Sequence, residues 1–257
     1  MNTGNLIPFG LRDKEVMDVD DVPSGLDCQC VCPACGIRLV ARKGKVNRAH
    51  FAHYANDAIS NQTKVCEYAF ETSVRLMIHS LASDSDLQIQ LPPYGRRDPR
   101  TRKIVKIAKE NLMTLSSPFV KTGFYGVTTD LLYEVDGSRL VFFVFYKGRP
   151  VPNELKNLQD ELTGVIGIDI DEFKELCDTE AEKSYQNLLR DFIEQDIMSK
   201  VWLYHPREIE LRKQYSGLSD MPRHDDEEDH QENDMKRCGI CGTKSVGLCE
   251  KCFPITV

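Results

Sequence analysis

No run of this sequence approaches the roughly 18 consecutive apolar residues of a membrane-spanning helix. The opening, MNTGNLIPFGLRDKEV, lacks the basic-then-apolar order of a secretory signal. A helical membrane protein is therefore not expected, and the expected location is the cytoplasm. There is no internal repeat beyond a Cys-based knuckle near each end. Between residues 67 and 237 the only cysteine is Cys177, which sits on a helical pattern and reads as a buried bystander. A disulfide-stapled secreted scaffold would spread its cysteines. Here eight of the ten fall in two tight clusters, CQCVCPAC (28–35) and CGICGTKSVGLCEKC (238–252), and such clustering favours metal ions over disulfides.

What is present suffices for a folded body. The chain has 257 residues, 41% of them hydrophobic, enough to bury a core. Its net charge of -7 is uneven, because the segment from Asp220 to Lys236 holds eight acids and two bases. The remainder is nearly neutral, so the acidic balance does not argue against a nucleic-acid partner. The stretch GRRDPRTRKIVKIAK carries seven Lys or Arg against one Asp. Arg96, Arg97, Arg100, Arg102, Lys103 and Lys106 are the candidate phosphate contacts. The bland alternative is a solvated charged hairpin.

Periodicity organises the chain into four parts: a lead and Cys/His module (1–65), an α/β body (66–215), an acidic linker (216–236) and a Cys-rich tail (237–257). From Cys66 onward Ala69, Phe70, Val74, Met77, Ile78 and Leu81 recur at helical spacing, giving a helix over 66–82. LQIQLPP and RKIVKIAK read as short strands, and 127–147 as a hairpin turning at Asp136-Gly137. A short helix over 153–162, a buried strand over 165–170, a long helix over about 171–199 and a last strand in KVWLYHP follow. Beyond Tyr215 almost nothing is apolar, and the pattern is that of a disordered tether.

The tail spacing, CxxC, seven residues, CxxC, makes Cys238, Cys241, Cys249 and Cys252 a four-thiolate zinc site, with bonds of about 2.3 Å. A segment so short has no core, so the metal would supply most of its folding free energy, on the order of 10 kcal/mol. A redox dithiol pair is the competing reading. The N-terminal module offers more donors than one zinc needs: Cys28, Cys30, Cys32, Cys35, His50, His53 and Cys66. The preferred set is Cys32, Cys35, His53 and Cys66. His50 is the first substitute, and Cys28 and Cys30 are either spare thiols or the true first knuckle.

CPACGIRLVARKGKVNRAHFAH, followed by a cysteine and a helix bearing Glu71, resembles the opening of the competence protein CoiA family and its zinc-bearing bacterial relatives. That resemblance implies a nuclease-like domain of the PD-(D/E)xK, restriction-endonuclease-like, superfamily behind the zinc module. The α-β-β-β-α-β order read above matches that core. In such nucleases a helix Glu, a strand Asp and an acid-x-Lys or acid-x-Gln on the next strand hold Mg²⁺ and position water. Carried over, Glu71 in FETSV matches the helix acid and Asp130 in TTDLL the strand Asp, with Thr129 in place of the usual Pro. The third-acid strand, LVFFVFYKG, offers Phe143 and Phe145, which can bind neither a metal nor a proton. Where family members continue the helix with His and Lys, this chain has Arg75 and His79. Lys147 is the substitute base if hydrolysis survives.

The expected protein is thus a zinc-binding CoiA-like chain with two structural zinc sites. Its nuclease-like body is catalytically degenerate and serves nucleic-acid processing or binding, DNA above all, in DNA uptake, recombination or phage defence. One alternative is an active Mg²⁺-dependent nuclease using Glu71, Asp130 and Lys147. The other is an adaptor that docks a protein partner through the C-terminal zinc ribbon. The bland readings are local ones: Glu71 paired with Arg75 one turn on, and Asp130 as a strand-end acid bonded to backbone.

Overall fold

The computed structural model describes residues 6–44, 47–56, 66–84, 86–97, 101, 103–180 and 182–214, and the backbone of two short strands at 236–237 and 244–245. In chain order, β1 (Phe9–Arg12), β2 (Glu15–Asp18), β3 (Leu39–Arg42) and β4 (His50–His53) precede α1 (Ala69–Asp84). Next come β5 (Leu87–Leu91), β6 (Tyr94–Arg97), β7 (Ile104–Ala108), β8 (Asn111–Leu115), β9 (Phe119–Val120), β10 (Gly123–Phe124) and β11 (Val127–Thr128). The chain continues through β12 (Leu131–Val135), β13 (Ser138–Phe145), α2 (Asn153–Lys156), β14 (Thr163–Asp169), α3 (Asp171–Thr179), α4 (Tyr185–Gln195), β15 (Lys200–Tyr204) and α5 (Arg207–Gln214).

A five-stranded sheet in the order β15-β14-β13-β12-β9 carries the body, with β13 and β14 parallel and the other pairs antiparallel. This explains the run LVFFVF. A strand paired on both edges and covered on both faces loses the usual alternation of apolar and polar residues. Leu140, Phe142 and Val144 face the larger core with α1 and α4, whereas Val141 and Phe143 face a second cluster with Leu155, Leu158, Leu203 and Tyr204. Asp136 and Gly137 both take positive φ, 49° and 78°, and close the β12–β13 hairpin as the Asp-Gly pair predicts. Gly167, opposite Phe143, has to be a glycine for room: a Cβ there would lie 2.9 Å from Phe145 and 3.1 Å from Leu203.

The α1, β12–β13, α2, β14 and β15 elements all lie where the sequence places them, with two differences of extent. The expected helix over 153–162 is the single turn α2, and Leu155 within it and Leu158 beyond it plug the second cluster. The expected long helix over 171–199 is two helices. At the break, the Arg48 guanidinium donates to the carbonyls of Cys177 (2.6 Å), Glu180 (3.3 Å) and Lys183 (2.6 Å), satisfying the orphan end of α3. Ser184 then caps α4 through its hydroxyl to Asn187 N. Cys177 is buried, as expected, with its thiol pushed up to about 12 by burial.

LQIQL and KIVKIA do not pair with each other. β5 pairs with β8 and, nested inside that pairing, β6 with β7, across Pro92-Pro93 and Lys109-Glu110, a two-stranded ribbon of two successive pairings. The Cys/His module is not a separate globule: Phe9, Cys28, Cys30 and Phe51 belong to the same buried cluster as Val74, Phe173 and Phe192. No helix among the described residues is long and apolar enough to cross a membrane.

Asp18 ties the module to the body. Its buried carboxylate accepts from Asp20 N at 3.0 Å and from Gln186 N, in the first turn of α4, at 2.8 Å. Burial nonetheless raises its pKa from 3.8 to about 6. The folded state thus holds this proton more tightly than the unfolded chain, and this group's contribution falls as pH rises from about 4 to about 6, by on the order of 3 kcal/mol. Thermal denaturation of wild type and Asp18→Asn across that window should show the slope in the wild type and a flatter curve in the variant.

Candidate metal centre and the Asp130 cluster

Four side chains converge at the edge of the Cys/His module. Cys32, Cys35, His53 and Cys66 bring one ligand atom each to within 4.8 Å of one another. Cys32 Sγ lies 3.9 Å from Cys66 Sγ, and Cys35 Sγ lies 3.3 Å from His53 Nε2. A zinc ion with bonds of about 2.3 Å to sulfur and about 2.0 Å to nitrogen gives tetrahedral edges of about 3.8 Å and 3.5 Å. The cluster therefore has the dimensions of a Cys₃His zinc site.

The local folding explains why these four meet. Gly36, at φ 74°, lets its amide return to Cys32 O at 2.8 Å, and Cys32 N bonds Ile37 O, closing CPAC into a knuckle. The amides of Ala34 and Cys35 point at Cys32 sulfur. HFAH is strand β4, paired so that Leu39 faces His53. Successive strand residues point to opposite faces, so His50 and His53 cannot both reach the site. His50 instead turns inward, its Nδ1 2.9 Å from Arg48 O. Cys28 and Cys30 are not a first knuckle. They are buried, with their thiols on Leu39 O (3.3 Å) and Cys28 O (3.2 Å), respectively. Burial, then the crowding of neighbouring thiols, raises the pKa values of Cys32 and Cys66, while burial lowers that of His53. Two buried thiols that resist ionising, beside a neutral imidazole, are an arrangement that a divalent cation reverses.

The tail cysteines Cys238, Cys241, Cys249 and Cys252 lie outside the described residues. Next to them, Lys236–Arg237 (β16) pairs antiparallel with Lys244–Ser245 (β17).

The second convergence centres on Asp130, which is fully buried. Oδ1 accepts from Arg75 Nε at 2.5 Å and His79 Nε2 at 2.9 Å, and Oδ2 from Val144 N and an Arg149 Nη, both at 2.7 Å. A carboxylate has about four lone-pair positions, and protein donors take all four. Burial would raise the Asp130 pKa, but the His79 hydrogen bond and the Arg149 and Arg75 charges bring it down to about 2. Continuing the β12–β13 register places Phe143 opposite Asp130, and the Arg149 guanidinium lies 3.8 Å over that ring.

The other sequence candidates lie elsewhere. Arg75 goes to Asp130 rather than to Glu71. Glu71 is half-buried, has Oε2 without a hydrogen-bond partner among the described residues, and has its pKa raised by burial. Lys147 is exposed at the tip of a two-residue turn closed by Tyr146 and Arg149. The residue that folds back onto the strand is Arg149, which sequence reasoning missed. The signal was there in YKGR, where a turn at Lys-Gly returns the chain and so carries the next long cation inward. Along the ribbon, Arg96 pairs with Glu208 at 3.1 Å, while Arg97 and Lys106 share the opposite face. Lys103 is exposed, and Arg100 and Arg102 lie outside the described residues.

In comparison with known proteins, residues 26–60 match the family model described as Competence protein CoiA, N-terminal domain. The match spans the knuckle and HFAH. No curated protein and no solved structure matches the chain.

Metal analysis of the purified chain should find zinc at the N-terminal centre. Replacing Cys32 and Cys66 by Ser should remove one equivalent, whereas Cys28→Ser should leave the count unchanged. With cobalt in its place, the absorption should be that of a tetrahedral S₃N site.

Proposed function

We propose that this chain is a zinc-binding, CoiA-like protein whose nuclease-like body binds nucleic acid without hydrolysing it. The observation that carries the reading is the full occupancy of Asp130 by protein donors. Mg²⁺ needs hard oxygen ligands in near-octahedral geometry, and an acid whose lone pairs are all engaged offers it none. Phe143 stands across the strand pair from Asp130, at the position where the family resemblance expects a second acid.

The element order around the acid supports the nuclease-like descent of the body: α1, the β12–β13 hairpin, α2 and the parallel β14. Guanidinium charge stands where metal charge would. Arg75 and Arg149 bring two positive charges to one carboxylate, and each keeps a sixth or more of its side chain exposed. Arginine forks suit phosphate oxygens, so the cluster can attract a phosphodiester while supplying no activated water. The ribbon adds Arg97, Lys103 and Lys106. The setting, DNA uptake, recombination or defence, is part of the same proposal through the family match.

An active Mg²⁺ nuclease using Glu71, Asp130 and Lys147 is the less favoured reading, because Lys147 points away on a turn and Asp130 is occupied. A partner-docking role for the C-terminal ribbon rests on its cysteine spacing alone.

Incubated with single- or double-stranded DNA and Mg²⁺ or Mn²⁺, the chain should leave the DNA intact. Cleavage that Asp130→Asn abolishes would sink the proposal. Lys103→Glu with Lys106→Glu should weaken DNA binding about tenfold or more and flatten its salt dependence. Asp130→Ala should cost about 3–5 kcal/mol of stability, because it leaves two buried-facing guanidiniums uncompensated.

A further inference from the structure

Among the described residues, β6 and β7 pair with each other and with no other strand, yet the pair is firmly held. Tyr94 stacks on His205 at 5.9 Å and 18°, and Trp202 lies 4.6 Å from the same imidazole. The Tyr94 hydroxyl and the Arg96 guanidinium donate to the buried carboxylate of Glu208, at 2.5 Å and 3.1 Å, and Arg207 donates to Ile107 O at 3.0 Å. One face of the ribbon is thus docked on β15 and α5, and Arg96 is engaged in that joint rather than turned to a ligand.

The register shows what the other face carries. Arg96 pairs with Val105, so the neighbouring pairs, Arg97 with Ile104 and Gly95 with Lys106, lie on the opposite face. Lys106 is exposed, as are Lys103 just before β7 and Lys109 just after it. The neighbouring acid is Glu110, which accepts a hydrogen bond from Gln90. Tyr94 is turned into the joint, so among the described residues of β6 and β7 the outer face is cationic and carries no aromatic ring.

Those properties separate the classes of nucleic acid. Single strands are gripped by aromatic side chains on which successive bases stack, and this face offers none. A two-stranded ribbon, its strands about 4.8 Å apart, fits the major groove of B-form DNA, about 12 Å wide, whereas the minor groove, at about 6 Å, excludes it. The major groove of A-form RNA is too deep and narrow for side chains to read. Duplex DNA is the nucleic acid that matches both the shape and the chemistry of the ribbon.

We propose that the β6–β7 ribbon is an arm for duplex DNA, entering the major groove with Arg97, Lys103 and Lys106 on the flanking phosphates while the Tyr94–His205–Glu208 joint holds its other face on the body. The inference rests on the nucleic-acid reading above and narrows it to double-stranded DNA gripped from the major groove. Phosphate contacts position a protein on the duplex without reading sequence, so this binding is sequence-tolerant and weakens as salt rises.

Fluorescence anisotropy of the full chain with a short DNA duplex, with either of its single strands and with duplex RNA of the same sequence tests this. The DNA duplex should bind at least tenfold more tightly than the other two at equal salt. Lys103→Glu with Lys106→Glu, both at exposed positions, should remove that preference at unchanged melting temperature. A duplex whose major groove is filled by glucosylated hydroxymethylcytosine should bind about as weakly as the single strand, and the minor-groove ligand netropsin should not displace the chain. Single-stranded DNA bound as tightly as the duplex, a duplex preference that survives the lysine changes or the glucosylation, or displacement by netropsin would each overturn the arm while leaving nucleic-acid binding by the body standing. Binding of no nucleic acid at all would remove the reading beneath it as well.

Discussion

The buried carboxylate of Asp130 is the constraint around which the body is arranged. Its four donors come from α1 (Arg75 and His79), from β13 (Val144 N) and from the turn after β13 (Arg149). One side chain thereby fixes the height of the helix on the sheet, the register at the end of the hairpin and the return of the following loop. Arg149 extends the brace by donating to Val144 O and, at 3.0 Å, to Thr128 O. A buried charge is tolerable only with such satisfaction, and a network with one member missing is worse than an apolar core.

The Cys₃His cluster performs the matching task for the lead segment, which has few regular elements. It joins the CPAC knuckle, the end of β4 and the entry to α1 at one point, so the metal would hold Cys66 just before the helix that carries Arg75 and His79. The two centres thus bracket α1. Cys66 anchors its start, and Asp130 clamps its second and third turns. The apolar stripe Val74, Met77, Ile78 and Leu81 fills the core between them. Arg48 and Asp18 add a second seam, from the module to the α3–α4 junction.

Much of this was legible in the sequence, for identifiable reasons. Helical spacing from Ala69, the Asp136-Gly137 turn and the buried run VIGIDI are local signals that tertiary packing did not override. The preferred ligand set, His53 included, is the one that converges, and strand periodicity in HFAH gives the reason that His50 is not in it. Other features depended on distant partners. The break near residues 180–184 is stabilised by Arg48, more than a hundred residues away in sequence, although Ser184 before YQNLL was a readable cap. The pairing of β5 with β8 rather than with the adjacent basic strand is a choice of register across 24 residues, which neither segment encodes alone. The role of Asp130 was half legible. Its isolation among apolar residues marked it, but whether a lone acid is free or saturated depends on three side-chain donors scattered over 75 positions.

The arginine and the phenylalanine at this cluster are physically coupled, and the coupling bears on what a single change can do. Arg149 is held by Asp130 on one side and by the face of Phe143 on the other. On the proposed reading, restoring an acid at position 143 would not restore a metal site. The new carboxylate would meet a guanidinium already in place, the local balance would move from one acid against two arginines to two against two, and an ion pair would form in preference to a cation site. A metal could compete only if Arg149 were also removed and Arg75 released from Oδ1, which would dismantle the clamp on α1. On that reading, hydrolysis and the present packing of the helix are alternatives, and the fold takes the second.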